Sequence, residues 1–373
     1  KSGAAAAKLA AREGADVTVF DSGDAGALAS AAGAMETAGH KVVVGEAALA
    51  AAVSEFDLAV LSPGIALEWQ IAAQFVDAGV RVVGEMEFAF PFCQADLVGV
   101  TGTNGKTTTV ELIECILKGC GESAVAAGNY GLPHSEVVCS GESYDVVALE
   151  VSSFQLETID TFRPRVAVWT NFAPDHLDRY PNLDSYRTAK LRLFENQGAE
   201  DWAVVNARDG LEGLRAQTVT FSAFADGADY SYEDGAILEA GEVVIELGET
   251  RLRGTHNAEN LMAAMAVGRI RGLEPHAMSA AVAGYQPPPH RCELVREVDG
   301  VEYINDSKAT NLHALESALV AQGETKVVLV AGGKDKGLPF APLGPLVARH
   351  ASKVVLIGEI REALAEAWGG SLP

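Results

Sequence analysis

Leu97-Val98-Gly99-Val100-Thr101-Gly102-Thr103-Asn104-Gly105-Lys106-Thr107-Thr108 decides the fold. A buried-type apolar run passes into a glycine-rich turn and then into a helix-forming segment. Glycines let the backbone bend so that successive N–H groups face phosphate oxygens, and the following helix adds its positive N-terminal end. In such a loop Lys106 bridges the β- and γ-phosphates, and the Thr107 hydroxyl ligates Mg²⁺. The usual spacing, G-x-x-x-x-G-K-[ST], requires glycine at position 100. This chain has Val100 there, with glycines at 99 and 102 instead. Gly105-Lys106-Thr107 after a strand still predicts a triphosphate site.

Outward from the loop, short β-branched runs alternate with helical stretches, the βαβ rhythm of a parallel sheet covered on both faces. Val17–Asp21, Leu58–Ser62 and Val80–Gly84 read as buried strands, with helical stretches at Ala47–Val53 and Trp69–Asp77 between them. Residues 1–91 form a first expected domain. Residues 92–287 form the second, with strands at Leu97–Gly102, Ser123–Gly128, Val146–Val151, Val166–Thr170, Ala203–Asn206 and Val219–Phe221. Residues 228–254 read as a small antiparallel flap turning at Asp234-Gly235 and Ala240-Gly241. Helices about Asn257–Arg271 and Pro275–Tyr285 follow. Gln286-Pro287-Pro288-Pro289 cannot continue a helix and reads as a hinge. Residues 288–373 make a third domain, with a hairpin turning at Asp299-Gly300 and strands at Val327–Ala331 and Val354–Ile357. Lys1-Ser2-Gly3 ahead of an Ala-rich helix reads as the tail of a Gly-rich turn whose strand is missing. The chain stops inside or just after a helix at Pro373. A fragment is expected at both ends.

Composition bounds the chemistry. The 373 residues are 48% apolar and carry a net charge of −23. Nucleic acid and anionic membrane surfaces are excluded, because phosphate backbones demand Lys and Arg. The five cysteines are scattered without a C-x-x-C pair, which reads as reduced thiols in a cytoplasmic protein. No apolar run reaches about 18 residues, so no membrane insertion is expected.

A triphosphate site needs an acidic metal partner on a neighbouring strand. Glu150 is a lone charge ending the apolar run Val146–Val151. A buried carboxylate is costly unless paired or bound to metal, and Mg²⁺ prefers oxygen ligands. Thr170-Asn171-Phe172-Ala173-Pro174-Asp175-His176-Leu177-Asp178 follows another strand and brings polar groups to the same sheet end. His176 there is expected to meet metal or substrate. Lys190, on the helix Asp184–Asn196, reads as a solvated lysine.

Together these segments resemble the muramyl ligase family. Gly102-Thr103-Asn104-Gly105-Lys106-Thr107-Thr108 is similar to that family's phosphate loop, including the departure at Val100. Glu150-Val151-Ser152-Ser153, Asn171 to His176, Ala189-Lys190-Leu191, His256-Asn257-Ala258-Glu259-Asn260 and His290-Arg291 continue the match in order. Asn305-Asp306-Ser307-Lys308-Ala309-Thr310-Asn311 and the turn Gly128-Asn129-Tyr130-Gly131-Leu132-Pro133 resemble the forms of the D-glutamate-adding member.

The resemblance implies an α/β chain of three domains. A Rossmann-like N-terminal domain precedes a central P-loop ATPase-like domain with the small antiparallel flap, and a Rossmann-like C-terminal domain follows. It implies a monomer that uses ATP and two Mg²⁺ to add D-glutamate to UDP-MurNAc-L-Ala through an acyl phosphate. By the same resemblance, residues 102–108 (Gly102, Thr103, Asn104, Gly105, Lys106, Thr107 and Thr108) hold the phosphates. Thr107 and Glu150 bind the first Mg²⁺, and His176 with a carbamylated Lys190 binds the second. Asn257 and Asn260 approach the adenine, while Arg291 and Asp306 close on the γ-phosphate and ribose. Asp21, Ser22, Ser62 and Gly64 meet the uridine nucleotide. Asn129 contacts the sugar-peptide, and Ser152 and His176 also bind substrate; Lys308, Thr310 and Lys336 meet D-glutamate. The family also takes substrate contacts from a segment beyond Pro373. Competing readings are another muramyl or folylpolyglutamate-type ligase, a non-catalytic nucleotide-binding module, and a P-loop switch or kinase. The N-K-x-D motif of a GTPase is absent from the sequence.

Overall fold

In the computed structural model, residues 1–335 and 337–370 are described. The first strands are β1 (Thr18–Asp21), β2 (Lys41–Val44), β3 (Leu58–Leu61) and β4 (Arg81–Gly84). They pair in parallel as β1–β2 and β3–β4, two separate ladders. β1 is only half-buried, which corrects the expectation of a buried strand. Phe20, Phe56 and Phe75 join the two ladders, with ring centroids 5.5–6.1 Å apart in edge-on arrangement. Such pairs add packing energy beyond their buried area. The sequence reading missed β2 and the helix Ala25–Thr37, which buries no residue. That helix is Ala-rich, so it lacks the apolar–polar contrast that marks an amphipathic face. The expected helix Ala47–Val53 is shorter, Glu46–Leu49.

The centre is a nine-stranded sheet in the order β13-β12-β11-β10-β9-β8-β5-β7-β6. Its strands are β5 (Asp96–Thr101), β6 (Ala124–Gly128), β7 (Val146–Glu150), β8 (Val166–Trp169) and β9 (Trp202–Asn206). They continue with β10 (Gln217–Ser222), β11 (Tyr230–Glu233), β12 (Ala236–Glu239) and β13 (Glu242–Glu246). β6 to β11 and β5 pair in parallel; β12 and β13 run antiparallel. Both faces are covered, so alternate residues of one strand join different cores. Val98, Val100, Ala148 and Val168 pack on one side with the helices Lys106–Gly119 and Thr255–Ile270. Leu97, Leu149, Ala167 and Trp169 pack on the other. Val100 is fully buried in β5, which explains why no glycine stands there: the turn begins only after Thr101. The flap turns at the expected places, with Asp234, Gly235, Ala240 and Gly241 all at positive φ, as tight hairpins require. Through β11 it extends the central sheet.

The Lys106–Gly119 helix also anchors the chain ahead of the prolines: Tyr285 donates its hydroxyl hydrogen to Glu111 at 2.8 Å. Beyond them lie a hairpin, β14 (Glu293–Val298) and β15 (Val301–Asn305), and a parallel pair, β16 (Val327–Gly333) and β17 (Ala351–Gly358). The hairpin turns at Asp299 and Gly300, both at positive φ.

The first segment meets the central sheet through the helices Glu85–Ala89 and His134–Cys139. Buried Glu87 accepts hydrogen bonds from the Thr161 and Phe162 backbone N–H groups at 2.8 and 2.9 Å. His134 is fully buried with Nε2 unpartnered. Burial pulls its imidazole down from 6.5 to about 4. The unfolded chain therefore takes up this proton near pH 6.5, while the folded chain resists it until about pH 4. Stability is full above pH 6.5 and is lost as pH falls toward 4. The His134 contribution between pH 7 and 5 is about 2 kcal/mol. Denaturant melts at the two pH values check it: His134→Leu should lose less stability on acidification than the parent, and an equal loss refutes it.

Candidate functional site

β5, β7 and β8 lie side by side and end at one sheet edge, where ligands collect in open α/β folds. The loop after β5 turns through Gly102 (φ 147°) and Gly105 (φ 82°). A Cβ on Gly102 would stand 1.9 Å from Thr170 Oγ1, and one on Gly105 2.2 Å from Asn260 Oδ1. Close approach and positive φ together restrict both positions to glycine. The segment after β8 braces the loop. Asn104 N donates to Asn171 Oδ1 at 2.9 Å, and Thr170 Oγ1 donates to Asn104 O at 2.6 Å.

Lys106 folds back on the loop, donating to Gly102 O and Thr103 O, each at 2.9 Å. Burial lowers its ammonium pKa, opposed by Glu150 and Asp175. Lys190 is not a solvated lysine: it is 2% exposed, and its Nζ donates to the same Gly102 O at 2.7 Å. Its helix, Leu183–Leu191, ends earlier than expected and tightens into a single turn at Arg192–Phe194. That places Lys190 over the Tyr186 ring, 4.7 Å from its centroid. Burial pushes Lys190 well below the lysine range, and the neighbouring Lys106 pushes the same way. Both effects disfavour its charged form.

Buried Glu150 is held from two sides. Thr107 Oγ1 donates to Oε2 at 2.6 Å, and Asn129 Nδ2 donates to Oε1 at 2.8 Å. From beyond the prolines, Arg291 Nη2 donates to Thr107 Oγ1 at 2.8 Å. Thr107 and Glu150 thus juxtapose hydroxyl and carboxylate oxygens, a donor set suited to a hard cation. Among the described residues no group of three or more His, Cys, Asp or Glu is placed to hold a metal. His176, at φ 55°, packs edge-on against Phe154 and Tyr186, so His176 and Lys190 share the Tyr186 ring.

A cavity of ≈ 260 Å³ adjoins the loop, lined among others by Asn104, Gly105, Thr108, Asn257, Asn260, Arg291, Asp306 and Lys308. Asn260 Oδ1 accepts from Thr109 at 3.3 Å, and Asn257 Nδ2 donates to Arg253 O at 2.9 Å. Asp306 accepts from Cys292 N at 3.1 Å, and burial raises its carboxyl pKa. The same cavity is lined by His256, which opens the matched run to Asn260, and by Arg208, Phe224 and His313, none of which was expected. Arg208 lies over the Phe224 ring at 4.6 Å. Arg208 and Phe224 follow β9 and β10, His313 lies in the helix Leu312–Val320, and nothing in the local sequence of these three marks them.

Other expected residues are not gathered here. Asp21 ends β1 and Ser22 follows it, and Ser62 and Gly64 follow β3; Asp21 Oδ1 accepts from Gly23 N at 2.9 Å within its own turn. The Ser152 hydroxyl is engaged in a capping box with Gln155. Thr310 is exposed. Lys336 lies outside the described residues.

The fold and the loop define a P-loop α/β protein. Residues 100–268 match the Mur ligase middle domain, and residues 290–371 match the Mur ligase glutamate ligase domain. The UDP-N-acetylmuramoylalanine–D-glutamate ligase of Geobacter metallireducens is 42% identical, over 99% of this chain and 83% of the relative. The enzyme of the same name from Trichlorobacter lovleyi is 40% identical, over 99% and 84%. Among solved structures, the UDP-N-acetylmuramate–alanine ligase of Thermotoga maritima shares the fold at a TM-score of 0.64 and 19% identity, covering 99% of this chain and 86% of that one. The chain belongs to the Mur ligase family. No helix among the described residues is long and apolar enough to cross a membrane.

Proposed function

We propose that this chain is an ADP-forming ligase that joins D-glutamate to the L-alanine carboxylate of UDP-N-acetylmuramoyl-L-alanine, a step of peptidoglycan precursor synthesis. One observation carries the chemistry: Arg291, from beyond the proline hinge, donates to the hydroxyl of Thr107 on the phosphate loop, which in turn donates to Glu150 at the end of β7. The D-glutamate specificity rests on relatives of that name at about 40% identity along nearly the whole chain.

Residues 1–91 hold the uridine nucleotide through Asp21, Ser22, Ser62 and Gly64. Residues 92–287 hold ATP, and residues 288–373 bring Arg291, Asp306, Lys308, Thr310 and Lys336 to the nucleotide and amino acid. Loop residues 102–108 cradle the phosphates, with Asn257 and Asn260 toward the adenine. Asn129 holds the sugar-peptide, and Ser152 and His176 also bind substrate. The substrate carboxylate attacks the γ-phosphorus, ADP leaves, and an acyl phosphate forms. The D-glutamate amine then attacks the acyl carbon, phosphate leaves, and the amine proton passes to solvent. Phosphoryl transfer of this kind needs alignment and charge neutralisation more than covalent help from the protein. Lys106 and Arg291 supply fixed positive charge to the transferring group.

Thr107 and Glu150 would hold one Mg²⁺, and His176 with carbamylated Lys190 a second. Bound there, the ions would neutralise phosphate charge. An ammonium repels a cation, so Lys190 joins such a site only after its amine adds to CO₂ and sheds a proton. The burial of Lys190, which disfavours its charged form, supports that addition. Five free cysteines support a reducing cytoplasmic setting, and the chain acts as a monomer.

The test is ADP release from ATP with UDP-N-acetylmuramoyl-L-alanine and a panel of acceptors: D-glutamate, L-lysine, meso-diaminopimelate and L-alanine. Release with D-glutamate alone is expected. A preference for another acceptor reassigns the chain within the family, and ATP binding without release in any combination makes it a non-catalytic module.

A further inference from the structure

Asn311 stands at a junction of three segments. Its Nδ2 donates to Asn104 Oδ1 on the phosphate loop at 3.0 Å and to Asp175 Oδ2 after β8 at 3.1 Å. Its Oδ1 accepts from Ala314 N at 2.9 Å and from Asn104 Nδ2 at 3.3 Å. A primary amide offers two donor hydrogens and two acceptor lone pairs, so all four positions are used. Asn104 Nδ2 also lies 2.9 Å from His313 Nδ1, two residues beyond Asn311. Asn311 and Asp175 are both buried, and a buried polar group left unpaired is destabilising. The junction therefore has one well-satisfied arrangement.

We infer that Asn311 is a positioning residue that latches the segment beyond the hinge onto the phosphate loop and the Asp175-His176 loop at once. The inference rests on the ligase reading. Arg291 approaches Thr107 from the same segment as Asn311, so the latch fixes the angle at which that arginine reaches the loop. The loop's backbone N–H groups do not depend on it. Its loss consequently acts on turnover and spares ground-state nucleotide binding.

Asn311 also caps the helix Leu312–Val320, so Asn311→Ala would confound latch and cap. Serine keeps a capping oxygen but has no amide to donate. Asn311→Ser is expected to melt as the parent does, to hold ADP within about threefold of the parent's affinity, and to lose kcat by roughly 10- to 100-fold, the penalty of a small misplacement. Asn104→Ala should lose a similar factor. The double variant should be no worse than the weaker single variant, because both remove one bridge. Small-angle scattering reads the latch without catalysis: Asn311→Ser should show a larger radius of gyration than the parent. A parental kcat in Asn311→Ser, losses that multiply in the double variant, or an unchanged radius of gyration overturns the latch. Failure of the unaltered chain to bind ADP refutes the ligase reading instead, and scattering still judges the latch.

Discussion

Lys106→Ala is expected to lower ADP release by roughly 10³-fold, the loss seen when a fixed charge facing a transition state is removed. The same substitution should leave the melting temperature at or above that of the parent. Lys106 and Lys190 donate to one carbonyl, Gly102 O; burial disfavours the charge of both, and the charge of Lys106 repels that of Lys190. Removing one relieves that repulsion, while Gly102 O keeps a donor from Lys190. Lys106 therefore stands at an electrostatic loss in the folded chain, a pattern typical of sites whose charge serves a ligand. Coupled ADP-release kinetics and a thermal melt check both halves. Turnover within tenfold of the parent sinks the assignment, and a large drop in melting temperature sinks the claim that Lys106 is unneeded by the fold.

Lys190→Ala should cost activity on the same order, roughly 10³-fold, if the residue supplies an anionic ligand as its carbamate. Excess formate or acetate should restore part of that activity, because a free carboxylate can enter the space the side chain leaves. Lys190→Arg places a permanent positive charge there, cannot form the carbamate, and fills that space. It should be inactive and resistant to rescue. Turnover measured across a series of acetate concentrations decides it. Full activity of Lys190→Ala without acetate shows that the lysine serves only to pack against Tyr186 and brace Gly102.

The phosphate loop was legible because its requirements are local: glycines at fixed offsets, a strand before and a helix after. Glu150 was legible because one charge interrupts an apolar run. Lys190 was not, since its burial depends on where the Leu183–Leu191 helix packs, and helical spacing alone cannot report that. Asn311 carries an ordinary capping signature, and its second task exists only once Asn104 and Asp175 are beside it. The strands of the central sheet were read to within a few residues, because burial on both faces writes itself as unbroken apolar runs. β2 and the Ala25–Thr37 helix escaped for the opposite reason: neither contributes a fully buried side chain.

The Tyr285–Glu111 bond limits how the segment beyond the prolines can swing. With Tyr285 tethered to the helix that bears Lys106, rotational freedom begins only at Gln286. Pro287, Pro288 and Pro289 then contribute no soft φ torsion, since each ring fixes that angle near −65°. Few torsions remain, so the arc open to Arg291 is narrow and returns to nearly the same place. A short, stiff pivot of this kind exchanges reach for repeatability.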